Sequence, residues 1–297
     1  MLNPLRIYEN DTNVSALARI VSDDAGAALN VIAGTSVSAR NQTGSAAWVD
    51  ACVVRINMPS PEALEQLGIT LNGFRGLLDH EAGHARFSEA PSPSLITSHT
   101  KKVMSMTEQA GCPYFLRCEL ITRTTYAHAL NVLEDHRMEH ALANAMAGTR
   151  THLDALNRDA ARVFGSDRAV FDAGYVSVNS LIWWSSIFAN ALRPRPAISR
   201  AEVTRLFNEA NAPAKDAARI MPSVLRLAGL INGALGIKPT KKVYALVDGF
   251  LVAVTEEAHK LGYPSQAQPP QPPQPPQPPQ PPQPPQPPQP PQPPQPP

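Results

Sequence analysis

His80 and His84, with Glu81 between them in His80-Glu81-Ala82-Gly83-His84, are the residues whose types and spacing best suit chemistry. On a helix the two histidines stand one turn apart, about 40° around the axis, so both imidazoles reach one tetrahedral metal. Glu81 lies about 100° round, where a carboxylate can act as general base toward a water without becoming a ligand. This is the H-E-x-x-H arrangement, and the chemistry it points to is zinc-dependent hydrolysis of a peptide bond in a peptide or protein substrate. The same face carries Gly73, Gly76, Leu77 and Phe87, an apolar stripe whose two glycines permit close backbone approach. The plain alternative is a pair of hydrogen-bonded core histidines.

A zinc centre that keeps a water needs a third protein ligand. Position 90 is alanine, which excludes the metzincin pattern and moves the search downstream. The best candidate is Glu134, which on a helical projection sits amid Ala127, Leu130, Met138, Ala141 and Ala145, all within about 40°. A carboxylate centred on an apolar face is costly unless it is paired or coordinated. A metal resolves that cost; a buried Glu134 to Arg ion pair is the alternative. Asn131 and Arg137 flank Glu134 at about 60° on either side, placed to hold the carboxylate or to meet a developing oxyanion, so Arg137 joins Glu81 as a catalytic candidate. Asp135, about 100° from Glu134, is placed to accept the free N–H of a liganding imidazole, with Asp79 and Glu139 weaker for that role.

His136 and His140 repeat the i,i+4 spacing, but they lie about 120° to 160° from Glu134 and cannot join it at one metal. They read as part of a solvated or interhelical face with Glu139. His99, His128, His152 and His259 are isolated and read as surface or capping residues, with His128 or Tyr126 a further source of a transition-state donor. There is no glycine-rich phosphate loop, no G-x-S-x-G and no D-x-S-x-S, so phosphate cradling, serine chemistry and an integrin-type Mg²⁺ site are unsupported.

The elements that must position these residues begin with a helix over 14–28. Two segments follow, 30–40 and 47–58, which alternate apolar and polar residues around the turn Asn41-Gln42-Thr43-Gly44, a hairpin-like signal. Helices are then expected over 71–89, 98–110, 117–147, 153–163 and 169–191. Arg193-Pro194-Arg195-Pro196 breaks the run, and Ser199 with Glu202 forms a capping box for the next helix. Two more, over 214–235 and 240–261, complete the folded part. The expected fold is α+β, mostly α: a small antiparallel sheet with the active-site helix, followed by a helical body. Residues 1–150 form the metal-site region, 151–267 the helical body, and 268–297 a Gln-Pro-Pro repeat with no means of contributing to a core. As extended polyproline II at roughly 3.1 Å per residue, that repeat spans on the order of 90 Å.

The chain has 297 residues, 17% of them charged, and a formal net charge of +1. No long run of one sign marks a nucleic-acid footprint or a polybasic membrane patch, and the most apolar stretch, 176–192, is broken by Asn179, Ser180, Ser185, Ser186 and Asn190. Residues 1–13 lack the apolar centre of a signal peptide. Cys52, Cys112 and Cys118 form no metal-type CxxC pair, and the odd count without a secretory signal fits reduced thiols in a cytoplasm.

The segments 74–87 (Phe-Arg-Gly-Leu-Leu-Asp-His-Glu-Ala-Gly-His-Ala-Arg-Phe) and 131–139 (Asn-Val-Leu-Glu-Asp-His-Arg-Met-Glu) together resemble the zincin-like front domain of CobT-type proteins. These are the cobaltochelatase-subunit-like, von Willebrand A-containing proteins of phages and bacteria. The resemblance covers mainly 47–147. It implies a gluzincin-like zinc site with His80, His84 and Glu134 as ligands and Glu81 as the catalytic carboxylate. It also implies a von Willebrand A domain beyond a low-complexity linker, which fits a longer parent protein, and frequently an AAA+ ATPase partner. A second functional class follows from it: a non-catalytic or metal-stabilised interaction module of a chelatase-like or phage complex.

Overall fold

The structure, a computed structural model, describes residues 38–42, 48–50, 55–59, 68–89, 91–165, 168–172, 175–212, 217–237 and 242–262. Among them are nine α-helices: α1 (Leu71–Phe87), α2 (Pro93–Gln109), α3 (Tyr114–Leu120), α4 (Arg123–Ala145), α5 (Ala147–Gly165), α6 (Val178–Ala191), α7 (Arg200–Asn211), α8 (Ala217–Asn232) and α9 (Val243–Lys260). All belong to one compact unit within Met1–Ser265. The expected helix over 14–28, Cys52 and the Gln-Pro-Pro repeat lie outside the described residues.

The helix starts follow from local chemistry. Thr70, Ser92, Thr122, Ser177 and Ser199 each stand in extended backbone and accept the N–H of the residue three positions on. Each cap satisfies a donor that has no partner inside its helix. The helix expected over 117–147 is consequently two, because Thr122 starts a new one. The helix expected from 169 begins only at Val178, since 171–172 and 175–176 pair as a two-residue antiparallel ladder ahead of the Ser177 cap.

The α+β expectation is overturned. The described body is all-α, and its core comes from helix faces, with Phe207 meeting Trp184 and Phe188 edge-on. The short extended segments β1 (Ser38–Gln42), β2 (Trp48–Asp50) and β3 (Arg55–Pro59) run in the order β1-β3-β2, with β1 parallel to β3. They are not the small antiparallel sheet expected. Alternation of apolar and polar residues marks a segment as extended but does not choose its neighbour, and the turn at 41–44 does not join paired strands.

α1, which carries both motif histidines, lies in a groove between α4 and α5. Three glycines set how closely it sits. A methyl group on Gly73 would collide with the Asp159 carboxylate, one on Gly76 with the His152 carbonyl, and one on Gly83 with Met138 and Leu142. The first turn is tied down by Thr70, whose N–H and hydroxyl both donate to Asp159 Oδ2 (2.9 and 2.6 Å). Asp79 meets His152 Nδ1 at 2.8 Å from the same side. At the other end, Arg137 Nη2 donates to the Phe87 carbonyl at 2.5 Å. α5 therefore spans the boundary expected at 150/151 and is the main support of the motif helix.

Gly76→Ala is expected to destabilise the protein by about 1–3 kcal/mol in urea denaturation, because its new methyl group meets rigid backbone. Gly229→Ala, whose methyl group would enter open space on α8, is expected to be neutral or to stabilise by up to about 1 kcal/mol.

Candidate metal centre

Both motif imidazoles project from α1 toward α4. His80 Nε2 and His84 Nε2 stand 3.1 Å apart, and Asp135 Oδ1 lies 3.0 Å from His84 Nε2 and 3.6 Å from His80 Nε2. Two nitrogens and one carboxylate oxygen thus converge on one point. Zinc–ligand bonds of about 2.0–2.1 Å in tetrahedral geometry separate neighbouring ligand atoms by about 3.3 Å. The observed triangle matches that spacing, so His80, His84 and Asp135 form a group able to hold a metal ion. Their side chains are 13%, 15% and 24% exposed, so the cluster opens to the surface and is not sealed in the core.

The atoms behind the triangle are also held. His80 Nδ1 donates to Glu139 Oε1 at 3.0 Å, and that donation leaves Nε2 as the lone-pair nitrogen of the neutral ring. His84 Nδ1 bonds to the Ser88 hydroxyl at 2.9 Å, one turn on. Asn131 Nδ2 donates to Asp135 Oδ2 at 3.0 Å, turning the other oxygen toward the imidazoles. Glu139 is fixed in turn by Asn157 Nδ2 at 3.0 Å on Oε2.

The electrostatics favour a positive charge at this point. Burial alone would depress the His80 imidazole, but its hydrogen bond to Glu139 and the charges of Asp135, Glu139 and Glu81 push it up to about 10. Glu139 is likewise disfavoured as an anion by burial, yet His80 and Arg193 bring it down to about 2. The same negative surroundings would suit a cation held where the two Nε2 atoms and the carboxylate meet. Glu81 is buried beside His80, close enough to raise it.

The residues expected at the site divide. His80, His84 and Glu81 share one region, as their helical spacing requires. Asp135 and Glu134 differ from the roles expected of them. Asp135 stands at the imidazoles, and the weak candidate Glu139 takes the outer position behind His80. Glu134 points to another face of α4, where Arg137 Nε and Nη2 grip its two oxygens at 2.7 and 2.5 Å. That is the buried Glu134 to Arg alternative. Arg137, almost fully buried, is committed to Glu134 and to the end of α1.

The physical reason is that α4 is buried on more than one side, packing on α1 and α5 and also on α2, α6, α8 and α9. An apolar neighbourhood around Glu134 therefore does not identify the side that faces the motif. The better signal is the polar stripe Asn131, Asp135, Glu139, spaced i,i+4,i+8 on a helix otherwise rich in apolar residues.

The second histidine pair holds no metal group among the described residues. His136 is buried on the backbone of Val132, and burial with the nearby Arg193 charge pulls it down to about 3. His140 Nε2 meets Asn144 at 2.9 Å. His99 and His152 are more than capping residues: His99 Nδ1 bonds the buried Asp248 at 2.9 Å, beside Lys102 at 2.9 Å and the Tyr126 hydroxyl at 3.2 Å. Tyr126 is thus engaged away from the triangle.

A comparison of the chain with protein-family models, with curated proteins and with solved structures finds no match. No helix among the described residues is long and apolar enough to cross a membrane.

Glu134→Ala is expected to cost about 3–5 kcal/mol in chemical denaturation, since it leaves the Arg137 guanidinium buried without its carboxylate. The matched double variant Glu134→Leu with Arg137→Met is expected to recover most of that loss.

Proposed function

We propose that this protein is a zinc-dependent peptide hydrolase that holds its metal between His80 Nε2, His84 Nε2 and Asp135 Oδ1. The observation carrying this reading is the three-atom triangle of 3.0 to 3.6 Å on a partly exposed surface, with Glu81 one residue from the first ligand. Zinc held there supplies a Lewis acid for the scissile carbonyl and an acidified water at neutral pH. The protein's own residues do the rest. Asp135 and the two imidazoles are kept in place by Asn131, Ser88 and Glu139, so little reorganisation is needed. Glu81 serves as the proton carrier, taking a proton from the attacking water and returning it to the leaving amine.

The resemblance of segments 74–87 and 131–139 to zincin-like CobT-type domains supports the same reading, with an aspartate in place of the glutamate ligand that the resemblance implied. An AAA+ ATPase and a von Willebrand A domain remain the partner classes to test.

The experiment is cleavage of a quenched-fluorescent peptide library by zinc-loaded protein. Glu81→Gln is expected to keep its zinc and to lose about 10²- to 10⁴-fold in rate. Cleavage by Glu81→Gln at the wild-type rate would overturn the hydrolase reading while leaving the metal site intact.

A further inference from the structure

Behind Glu139, on the side away from the motif helix, α4, α5 and the turn after α6 line a partly open cavity of about 250 Å³. Glu139 is the wall shared with the candidate metal centre: its Oε1 accepts from His80 Nδ1, and its Oε2 lies 3.8 Å from Arg193 Nη1. The His80 ring therefore stands between the cavity and the point where the ligand atoms converge.

Arg193 is the unusual residue of this cavity. Its Nε and Nη2 are shut off from solvent and have no hydrogen-bond partner. Nε and Nη2 form the edge of the guanidinium that binds a carboxylate or phosphate through two parallel hydrogen bonds. Leaving such donors buried and unmet costs roughly 1–3 kcal/mol each or more. Arg150 and Arg195 line the same cavity, and against these three cations stand Asp154 and a Glu139 already engaged by His80 and Asn157. The balance is positive.

A second unmet group lies in the same wall. Asn157 Nδ2 donates to Glu139 Oε2 and to the Leu153 carbonyl, which fixes the orientation of its amide. Its Oδ1 must then accept from Asn190 Nδ2, as it does at 2.7 Å. Asn190 Oδ1 is left as a buried acceptor without a donor.

We infer that this cavity binds a small oxyanion, a carboxylate or a phosphate, held by Arg193 with Arg150 and Arg195 beside it. A ligand carrying a hydroxyl or N–H donor next to its oxyanion also satisfies Asn190 Oδ1. Such a ligand is not the group presented to the motif face, because Glu139 and the His80 ring intervene. It is a second ligand, and its site does not depend on a metal being bound.

The test is isothermal titration of the full chain with inorganic phosphate and, separately, with malate, at constant ionic strength in chloride. Saturable one-to-one binding of at least one is expected, weakened about tenfold or more by Arg193→Gln, which removes the paired contact. Arg195→Gln, at an exposed position, and Arg150→Gln are expected to weaken it several-fold. Binding of phosphate alone identifies a phosphate site, and binding of malate alone a carboxylate site. Absence of saturable binding for both anions overturns the inference, as does wild-type affinity in Arg193→Gln. If Arg193→Gln does not fold, wild-type affinity in both Arg150→Gln and Arg195→Gln overturns it equally.

Discussion

The close seating of α1 against α4 and α5 is the constraint on which the rest depends. Gly73, Gly76 and Gly83 remove side chains where the helices come nearest, and Asp159 and Arg137 anchor the two ends of α1. Only at that separation can the short Asp135 side chain reach imidazoles carried by a different helix. Small shifts would matter: a tetrahedral metal site built on this triangle would tolerate about half an ångström before one donor fell out of reach. Helix packing and the geometry of the candidate metal site are thus one problem here, and the glycines of the motif helix belong to both.

A second dependence is electrostatic. Three acidic groups, Asp135, Glu139 and Glu81, lie around the His80 imidazole in a partly desolvated space, and together they raise it. The line from His80 through Glu139 to Asn157 and Asn190 runs from the metal triangle to the cavity containing Arg193. Buried polar chains of this kind hold their members in one arrangement when every member is satisfied. The donors of Arg193 and the acceptor of Asn190 are the members of this chain left without a hydrogen-bond partner.

Much of the site was legible in the amino-acid sequence, for reasons that can be stated. The helical spacing of His80, Glu81 and His84 fixes their relative directions whatever the tertiary fold, so their common location followed from α-helix geometry alone. The close-approach role of Gly73 and Gly76 followed equally directly. Choosing between Glu134 and Asp135 did not, because neighbours on a helix differ by about 100° and α4 is buried on several sides. Apolar surroundings showed that Glu134 needed a partner, but whether that partner was a cation on a protein or a metal depended on tertiary contacts. The fold class failed for a related reason: alternating residues at 30–40 and 47–58 signal extended backbone, while the weight of the architecture rests on helices whose starts are set by caps such as Thr122 and Ser177.

In the proposed site Asp135, not Glu134, joins His80 and His84 as the third ligand. Zinc content and affinity of the purified full chain, measured by elemental analysis and competition with a chromogenic chelator, test it directly in Asp135→Ala and Glu134→Gln. About one tightly held zinc per chain in the wild type and in Glu134→Gln, with loss of that zinc in Asp135→Ala, is the expected result. Retention by Asp135→Ala together with loss from Glu134→Gln would contradict it.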